Sequence, residues 1–474
     1  VASNAIFPLP VYRNAYRLKR IPIAPARAQC YNTARVREAI GMDLVAAVSP
    51  MTCVALVTVV LVKPSVRVKG HNVNIFWVVP FLGAAVLMLC GTLSPREVFT
   101  GLTAQSSINP LKILVLFLSM TLISIFLDCA GFFRYLATAV LQRQNASQLR
   151  LFVLLYALVS ALTVFTSNDI IVLTFTPFIC YFARDAKIDP IPYLICEFVA
   201  ANTWSMALMI GNPTNIYLAT VANVSFLGYT AVMLLPTLFA GFASFGMLYL
   251  LFRRKLRGEL SHSVLEKAPE DPVLVRLGVV HLALCIVLLV FSSYLDLPMW
   301  LICFAFFCSL FLLSGAYLLR RGRGLSLLRD AFHAAPWEIV PFILSMFVLV
   351  LALDKYGFTR SIGAFLGSAH PVASYGVSSF LAANLINNIP MSVLFSSVVS
   401  DLPSAAHTAA LYASVIGSNL GAFFTPLGAL AGIMWTGMLK NHGVKLGFGR
   451  FLRYGAAVSI PALAAALFGL VLAI

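Results

Sequence analysis

The stretch FTSNDIIVLTFTP, residues 165–177, sets Ser167, Asn168 and Asp169 between two apolar runs with no basic residue close in sequence. An ionisable side chain inside such a run is costly and marks an ion or proton pathway by default. Three more polar interruptions share the setting: GNPTN at 211–215, NNIP at 387–390 and GSNLG at 417–421. Gly211, Pro213, Gly417 and Gly421 supply backbone freedom or remove a donor. The Asn, Ser and Thr side chains supply amides and oxygens. Helix N-termini exposed at such breaks favour anionic or polar oxygens, and freed carbonyls favour cations. The chemistry implied is binding and release of a small polar solute, with Asp169 exchanging a proton or cation. The plainer alternative is an aspartate that caps its own turn. Glu197, in CEFVAANTWS, is the second proton-relay candidate, placed to face the bundle on the way to GNPTN.

The elements that position these residues must lie in a membrane. The chain has 474 residues, 60% of them hydrophobic and 11% charged, with the charges gathered between apolar runs. That composition describes an all-α polytopic membrane protein. Runs 73–93, 228–252, 273–295 and 299–319 each approach the roughly 20 apolar residues that a crossing needs. The nine cysteines show no CxxC and no Cys/His cluster, so they read as small buried hydrophobes, and neither a metal nor a cofactor is expected. A P-loop, an HExxH and a nucleophile elbow are all missing, which gives no support to an enzyme or an ATP-driven pump.

The two halves of the chain repeat one another. LFLSMTLISIFLDCAGFFR at 116–134 matches FILSMFVLVLALDKYGFTR at 342–360, and the same offset lays 48–63 on 274–289 and 73–93 on 299–319. Further along, SND at 167–169 meets INN at 386–388, and IGNPTN at 210–215 meets IGSNLG at 416–421. This pairing sets Asn388 opposite Asp169, so only one of the two related sites carries a charge. The expected units are 42–252 and 273–474, joined by a cytoplasmic loop at 253–272. Each reads as five spanning helices plus a re-entrant hairpin, with arms 151–166 and 170–183 in the first unit and 372–386 and 391–400 in the second. At 1.5 Å per residue such arms fall short of a bilayer core of about 30 Å. Five crossings per unit invert the second relative to the first, giving two inverted repeats with broken helices at the midplane. The basic clusters RRKLR at 253–257 and RRGR at 320–323 then fall on the cytoplasmic side.

Residues 1–41 carry seven Lys/Arg against the single Glu38 and read as a basic, disordered tail ahead of Met42, either a membrane-surface arm or sequence preceding the native start. Asp128 and Asp354 are repeat mates at expected helix ends, and His281 reads as a packed, hydrogen-bonded histidine. The basic clusters are solvated loops, so no nucleic-acid partner is expected.

The pattern around Asp169, NNIP at 387–390 and above all IGSNLGAFFTPLGALAGIMW at 416–435 resembles the ArsB-type arsenite permeases of the ion transporter superfamily. Relatives there include NhaD-type sodium/proton antiporters, the melanosomal P protein and, more distantly, dicarboxylate and citrate carriers. The resemblance covers essentially 48–474. It implies a secondary carrier in the plasma (inner) membrane, moving its substrate by an elevator-like shift. It also implies that substrate and ion contacts fall on Ser167, Asn168, Asp169, Gly211, Asn212, Thr214, Asn215, Asn387, Asn388, Gly417, Ser418, Asn419, Thr425 and Pro426. No cysteine lies in the four breaks, so trivalent arsenic must be met as a neutral hydroxide by hydroxyls and amides.

The leading expectation is proton-coupled efflux of a small inorganic oxyacid, arsenite or antimonite. Alternatives are sodium/proton exchange or sodium-coupled uptake of citrate or a dicarboxylate, the latter disfavoured by the lack of a bidentate arginine at the breaks. An anion channel is the alternative of another class. The partners expected are the oxyacid or anion, a coupling proton or sodium ion, and the lipid bilayer, with a homodimer left open.

Overall fold

The computed structural model describes residues 25–62, 65–68, 71–103, 109–133, 135, 147–258, 271–292, 294–400 and 402–474. Residues 1–24 of the expected tail and 259–270 of the expected loop lie outside the described residues. The first half holds α1 (Pro25–Val62), the antiparallel strands β1 (Ser65–Val68) and β2 (His71–Asn74), α2 (Val78–Leu89), α3 (Pro95–Thr103) and α4 (Pro110–Cys129). It continues with α5 (Gln148–Phe165), α6 (Asn168–Asp185), α7 (Ile191–Trp204), α8 (Pro213–Val221) and α9 (Phe226–Phe252). The second half holds α10 (Pro272–Phe291), α11 (Met299–Arg320), α12 (Ser326–His333), α13 (Ile339–Lys355) and α14 (Phe358–Leu366). After them come α15 (Pro371–Ile386), α16 (Asn388–Ser400), α17 (Ser404–Gly421), α18 (Leu430–Asn441) and α19 (Phe448–Ala473).

Local sequence sets many of these starts. Asn109 accepts hydrogen bonds from the Leu111 and Lys112 amides, Ser225 from Gly228 and Asp271 from Val273, each satisfying an N–H left free by the first helical turn. Among the described residues, seven helices or helix segments are long and apolar enough to cross a bilayer, and α13 with α14, bent by 78°, would be an eighth. The chain is an integral, multi-pass, all-helical membrane protein apart from the one short hairpin.

Three expectations change. The tail is not wholly irregular, because residues 25–41 form the start of α1, in a stretch rich in Ala, Arg, Gln and Glu that favours helix. The run 73–93 is not one span: α2 has 12 residues, about 18 Å, because the alternating HNVN before it pairs as a strand. The arms α5 and α6 have 18 residues each, about 27 Å, so length alone does not keep α5 from crossing. In the second half α15 and α16 are shorter, at 16 and 13 residues.

The packing is reciprocal between halves. Helix α4 lies on α11 while its sequence mate α13 lies on α2, and α8 packs on α16 while α18 packs on α6. Within each half the first arm packs on the broken helix, α5 on α7 and α15 on α17, and the two final helices α9 and α19 join the halves. At α15 and α17 the approach is close enough to need glycine. A Cβ on Gly417 would meet the Ser379 hydroxyl and sit 2.5 Å from the Gly376 carbonyl oxygen.

Two of the side residues prove structural. Asp354 accepts from the Thr359 hydroxyl at 2.6 Å and so braces the α13–α14 elbow. His281 donates from Nδ1 to the Leu277 carbonyl at 2.8 Å, which leaves Nε2 to accept from Ser309 at 3.2 Å. Gly417→Val should cost about 1–3 kcal/mol through overpacking, read as a lower detergent unfolding temperature. An unchanged temperature would contradict the close helix contact.

Candidate functional site

Among the described residues, each half has a helix interrupted by an eight-residue break. The first runs from Ser205 to Asn212 between α7 and α8, the second from Ala422 to Ala429 between α17 and α18. Their last residues adopt nearly the same extended backbone, φ −150° and ψ 140° at Asn212, φ −146° and ψ 158° at Ala429. Gly211 donates to the carbonyl three residues back, that of Leu208, as Gly428 does to that of Thr425. A Cβ on either glycine would strike a carbonyl oxygen of the preceding half-helix end, that of Ser205 or Gly421.

This geometry corrects the register of the repeat. IGNPTN corresponds to LGALAG at 427–432, not to IGSNLG, and Asn202 corresponds to Asn419. Both of these asparagines donate to the carbonyl four residues back, at 2.8 Å. Gly417 and Gly421 are therefore helical contact positions, and the true interruption is AFFTPLGA, which contains Thr425 and Pro426. Sequence matching failed there because apolar helices resemble one another at several offsets.

Asn419, in the last turn of α17 ahead of the second break, is the hub of a buried polar cluster that ties α17 to the first break. Its Oδ1 accepts from Asn212 Nδ2 at 2.9 Å and from the Ser205 hydroxyl at 3.0 Å, and its Nδ2 donates to Asn215 Oδ1 at 2.7 Å. Asn212 Oδ1 in turn accepts from the backbone N–H and hydroxyl of Thr214, both at 3.1 Å. Asn215 Nδ2 donates to the Ser205 carbonyl at 2.8 Å, so a side chain replaces the backbone donor that the break removed. Ser205, Asn212, Thr214, Asn215 and Asn419 are all buried.

The hairpin tips meet the breaks of their own halves. Asn168 Nδ2 donates to Asn202 Oδ1 at 3.0 Å, and Ser205 donates to the Asn202 carbonyl, so the first tip connects to the Asn419 cluster. At the second tip Asn387, with φ 73°, donates to the Leu427 carbonyl, and the Asn388 N–H donates to that of Gly428. Asn384 holds the second break from the side: it donates to the Gly421 carbonyl at 3.1 Å and accepts from the Thr425 hydroxyl at 2.7 Å.

Counted from the helix starts, Asn168 matches Asn388, and Asp169 matches Ile389 rather than Asn388. Asp169 lies in the first turn of α6, partly exposed, and makes no hydrogen bond or ion pair among the described residues. Four buried oxygens at the hairpin tips and on α17 also lack a partner among the described residues: Ser167 Oγ, Asn168 Oδ1, Asn388 Oδ1 and Ser418 Oγ. Such groups cost about 1–3 kcal/mol each unless a ligand or water meets them. Pro426 is partly buried in the second break, its carbonyl oxygen 2.7 Å from where a Gly432 Cβ would stand.

Glu197 stands apart from this cluster. Fully buried on α7, it accepts from the Thr176 hydroxyl of α6 at 3.3 Å and from Trp435 Nε1 of α18 at 3.2 Å. It ties a half-helix of the second half to the first. Asn202, Ser205 and Asn384 were missed by sequence reading. Their signal was an amide or hydroxyl in an apolar run within a few residues of a recognised break, a costly placement in a bilayer.

An all-helical membrane fold whose two interrupted helices share a buried polar cluster defines a membrane transport protein. Residues 74–417 match the family described as Citrate transporter (CitMHS), and the chain belongs to that family. It is similar to the "Arsenical pump membrane protein" of Yersinia enterocolitica, 29% identical over 363 residues, covering 73% of this chain and 83% of that protein. It is also similar to the "Putative arsenical pump membrane protein" of Bacillus subtilis (strain 168), 26% identical over 404 residues, covering 78% and 88%. Among solved structures, the Alcanivorax borkumensis YdaH transporter shares the fold with a TM-score of 0.54 at 12% identity, covering 91% of this chain and 97% of that one.

Asn419→Ala would strand Asn212 Nδ2 and Asn215 Oδ1 in the interior. The expected loss is about 2–6 kcal/mol, at about 1–3 kcal/mol for each unmet group. Thermal unfolding of the detergent-purified variant measures it, and a loss under about 0.5 kcal/mol, the range of an ordinary surface change, would remove Asn419 from the centre of the site.

Proposed function

We propose that this chain is a proton-coupled secondary carrier that exports a small uncharged oxyacid, arsenite or antimonite, with Asp169 as the group that exchanges the coupling proton. The observation that carries the reading is the cluster of Ser205, Asn212, Thr214, Asn215 and Asn419, which joins the first break to the interrupted helix of the second half through amides and hydroxyls alone. Neither a thiol nor a basic side chain occurs in the breaks or tips. A neutral trihydroxide offers both donors and acceptors and suits such a lining, whereas a tricarboxylate calls for arginine or lysine. The arsenical pump proteins among the relatives support the same substrate class.

In this reading the substrate contacts are Ser167, Asn168, Asn212, Thr214, Asn215, Asn387, Asn388, Ser418, Asn419 and Thr425, with Gly211, Gly417 and Pro426 shaping the backbone. Glu197 is a brace between α7 and α18 that can pass a proton. The reciprocal packing of α4 on α11 and α13 on α2 supports two inverted repeats, 42–252 and 273–474, and an elevator movement of the hairpin and broken-helix bundle against α1, α2, α4, α10, α11 and α13. The membrane is the plasma (inner) membrane.

The family description favours a second reading, a sodium- or proton-coupled citrate carrier. One experiment separates the two. Everted vesicles carrying the protein are given a pH gradient with arsenite, antimonite or citrate, and uptake is followed with and without sodium. Arsenite accumulation driven by the proton gradient is expected; sodium-dependent citrate flux with no arsenite flux would overturn the first reading. Asp169→Asn should insert normally and lose proton-driven accumulation. Persistence of that accumulation would take the coupling role away from Asp169.

A further inference from the structure

Three sulfur atoms, from α4 of the first half and α10 and α11 of the second, lie together in the interior. Cys285 of α10 donates from Sγ to Met120 Sδ of α4 at 3.8 Å. Cys303 of α11 lies beside Cys285. Both cysteines are fully buried and Met120 is 4% exposed. For a metal–thiolate bond of about 2.3 Å, two sulfurs on one trigonal ion stand about 4 Å apart, close to the separation found. Two thiols and a thioether are a soft donor set, the kind that selects monovalent coinage metals.

A cavity of about 530 Å³ opens at the ends of the same three helices and of α8 and α9, with Lys112, Leu116, Thr220, Ser292, Asp296 and Met299 among its walls. Met120 lies one turn below Leu116 on α4, Cys303 one turn below Met299 on α11, and Cys285 two turns below Ser292 on α10. The sulfurs therefore lie one to two turns deeper on three of these helices, buried behind the cavity wall. The side chains above them are mostly uncharged or apolar, with Lys112 and Asp296 the charged pair on the walls.

We propose that Cys285, Cys303 and Met120 form a binding site for a soft monovalent metal ion, copper(I) or silver(I), that ties α4 of the first half to α10 and α11 of the second. On binding, each thiol releases its proton to water and both thiolate sulfurs, with the Met120 thioether, donate electron pairs to the ion; no oxidant or reductant is needed. The site makes no use of the transport cluster and does not depend on which substrate that cluster takes.

The test uses the full chain in detergent, reduced and anaerobic, with the remaining cysteines replaced by alanine so that only this pair can hold silver, and silver nitrate as the probe. Bound silver is counted by elemental analysis after desalting, sulfur coordination is read by X-ray absorption, and thermal unfolding follows stability. The expected result is about one silver per chain on sulfur ligands and a raised unfolding temperature, since a ligand that binds only the folded state stabilises it. Cys303→Ala should abolish retention. Met120→Leu, which keeps the volume and both thiols, should weaken binding on the order of tenfold through loss of a soft donor. A monodisperse protein with both cysteines intact that retains no silver overturns the proposal, as does Met120→Leu binding with unchanged affinity and the same sulfur count.

Discussion

Backbone polar groups have no partner in a bilayer, so every interruption of a spanning helix must be satisfied from within the protein. This chain has two such interruptions and meets the requirement differently in each. At the first, Asn215 reaches back from the start of α8 to the carbonyls of Ser205 and Leu208. At the second, the position matching Asn215 is Gly432, and Asn384 comes from α15 to take the Gly421 carbonyl and the Thr425 N–H. The same backbone problem is solved by a local amide in one half and by a neighbouring helix in the other.

That difference places the polar groups. Because Asn215 stays beside its own break, its Oδ1 is free to accept from Asn419, and through Asn419 the first break is tied to the end of α17. Because Asn384 is committed to the second break, Thr425 is held at the wall and Asn387 and Asn388 are drawn onto the Leu427 and Gly428 carbonyls. The two interruptions share backbone geometry while their side chains differ. Asp169, matched by Ile389, is the most pronounced instance.

The remaining helices act as a frame. Lys355, at the end of α13, donates to Glu97 of α3 at 2.8 Å and to the Thr92 carbonyl, while Asp271, ahead of α10, pairs with Arg323 at 2.9 Å and accepts from Tyr317. These ties fasten the ends of frame helices to one another. None of them reaches the hairpins or broken helices, which instead rest on each other through α8 on α16, α18 on α6 and the Glu197–Trp435 contact.

Much of the fold was legible in the sequence because bilayer thickness and the cost of buried polar groups leave strong marks. Apolar run length gave most of the long helices, and Ser167, Asn168, Asp169, Asn387 and Asn388 betrayed the hairpin tips by being polar where lipid forbids it. What the sequence left open was register. Apolar helices of similar composition match at several offsets, so only the shared geometry of Asn212 and Ala429 revealed that LGALAG, not IGSNLG, is the partner of IGNPTN. Contacts over long separations were equally hidden: Asn419 on Asn212, Glu197 under Trp435, Met120 beside Cys285. Spacing along a chain reports which residues share a helix face, while the partner across a helix interface depends on depth and rotation, which packing alone decides.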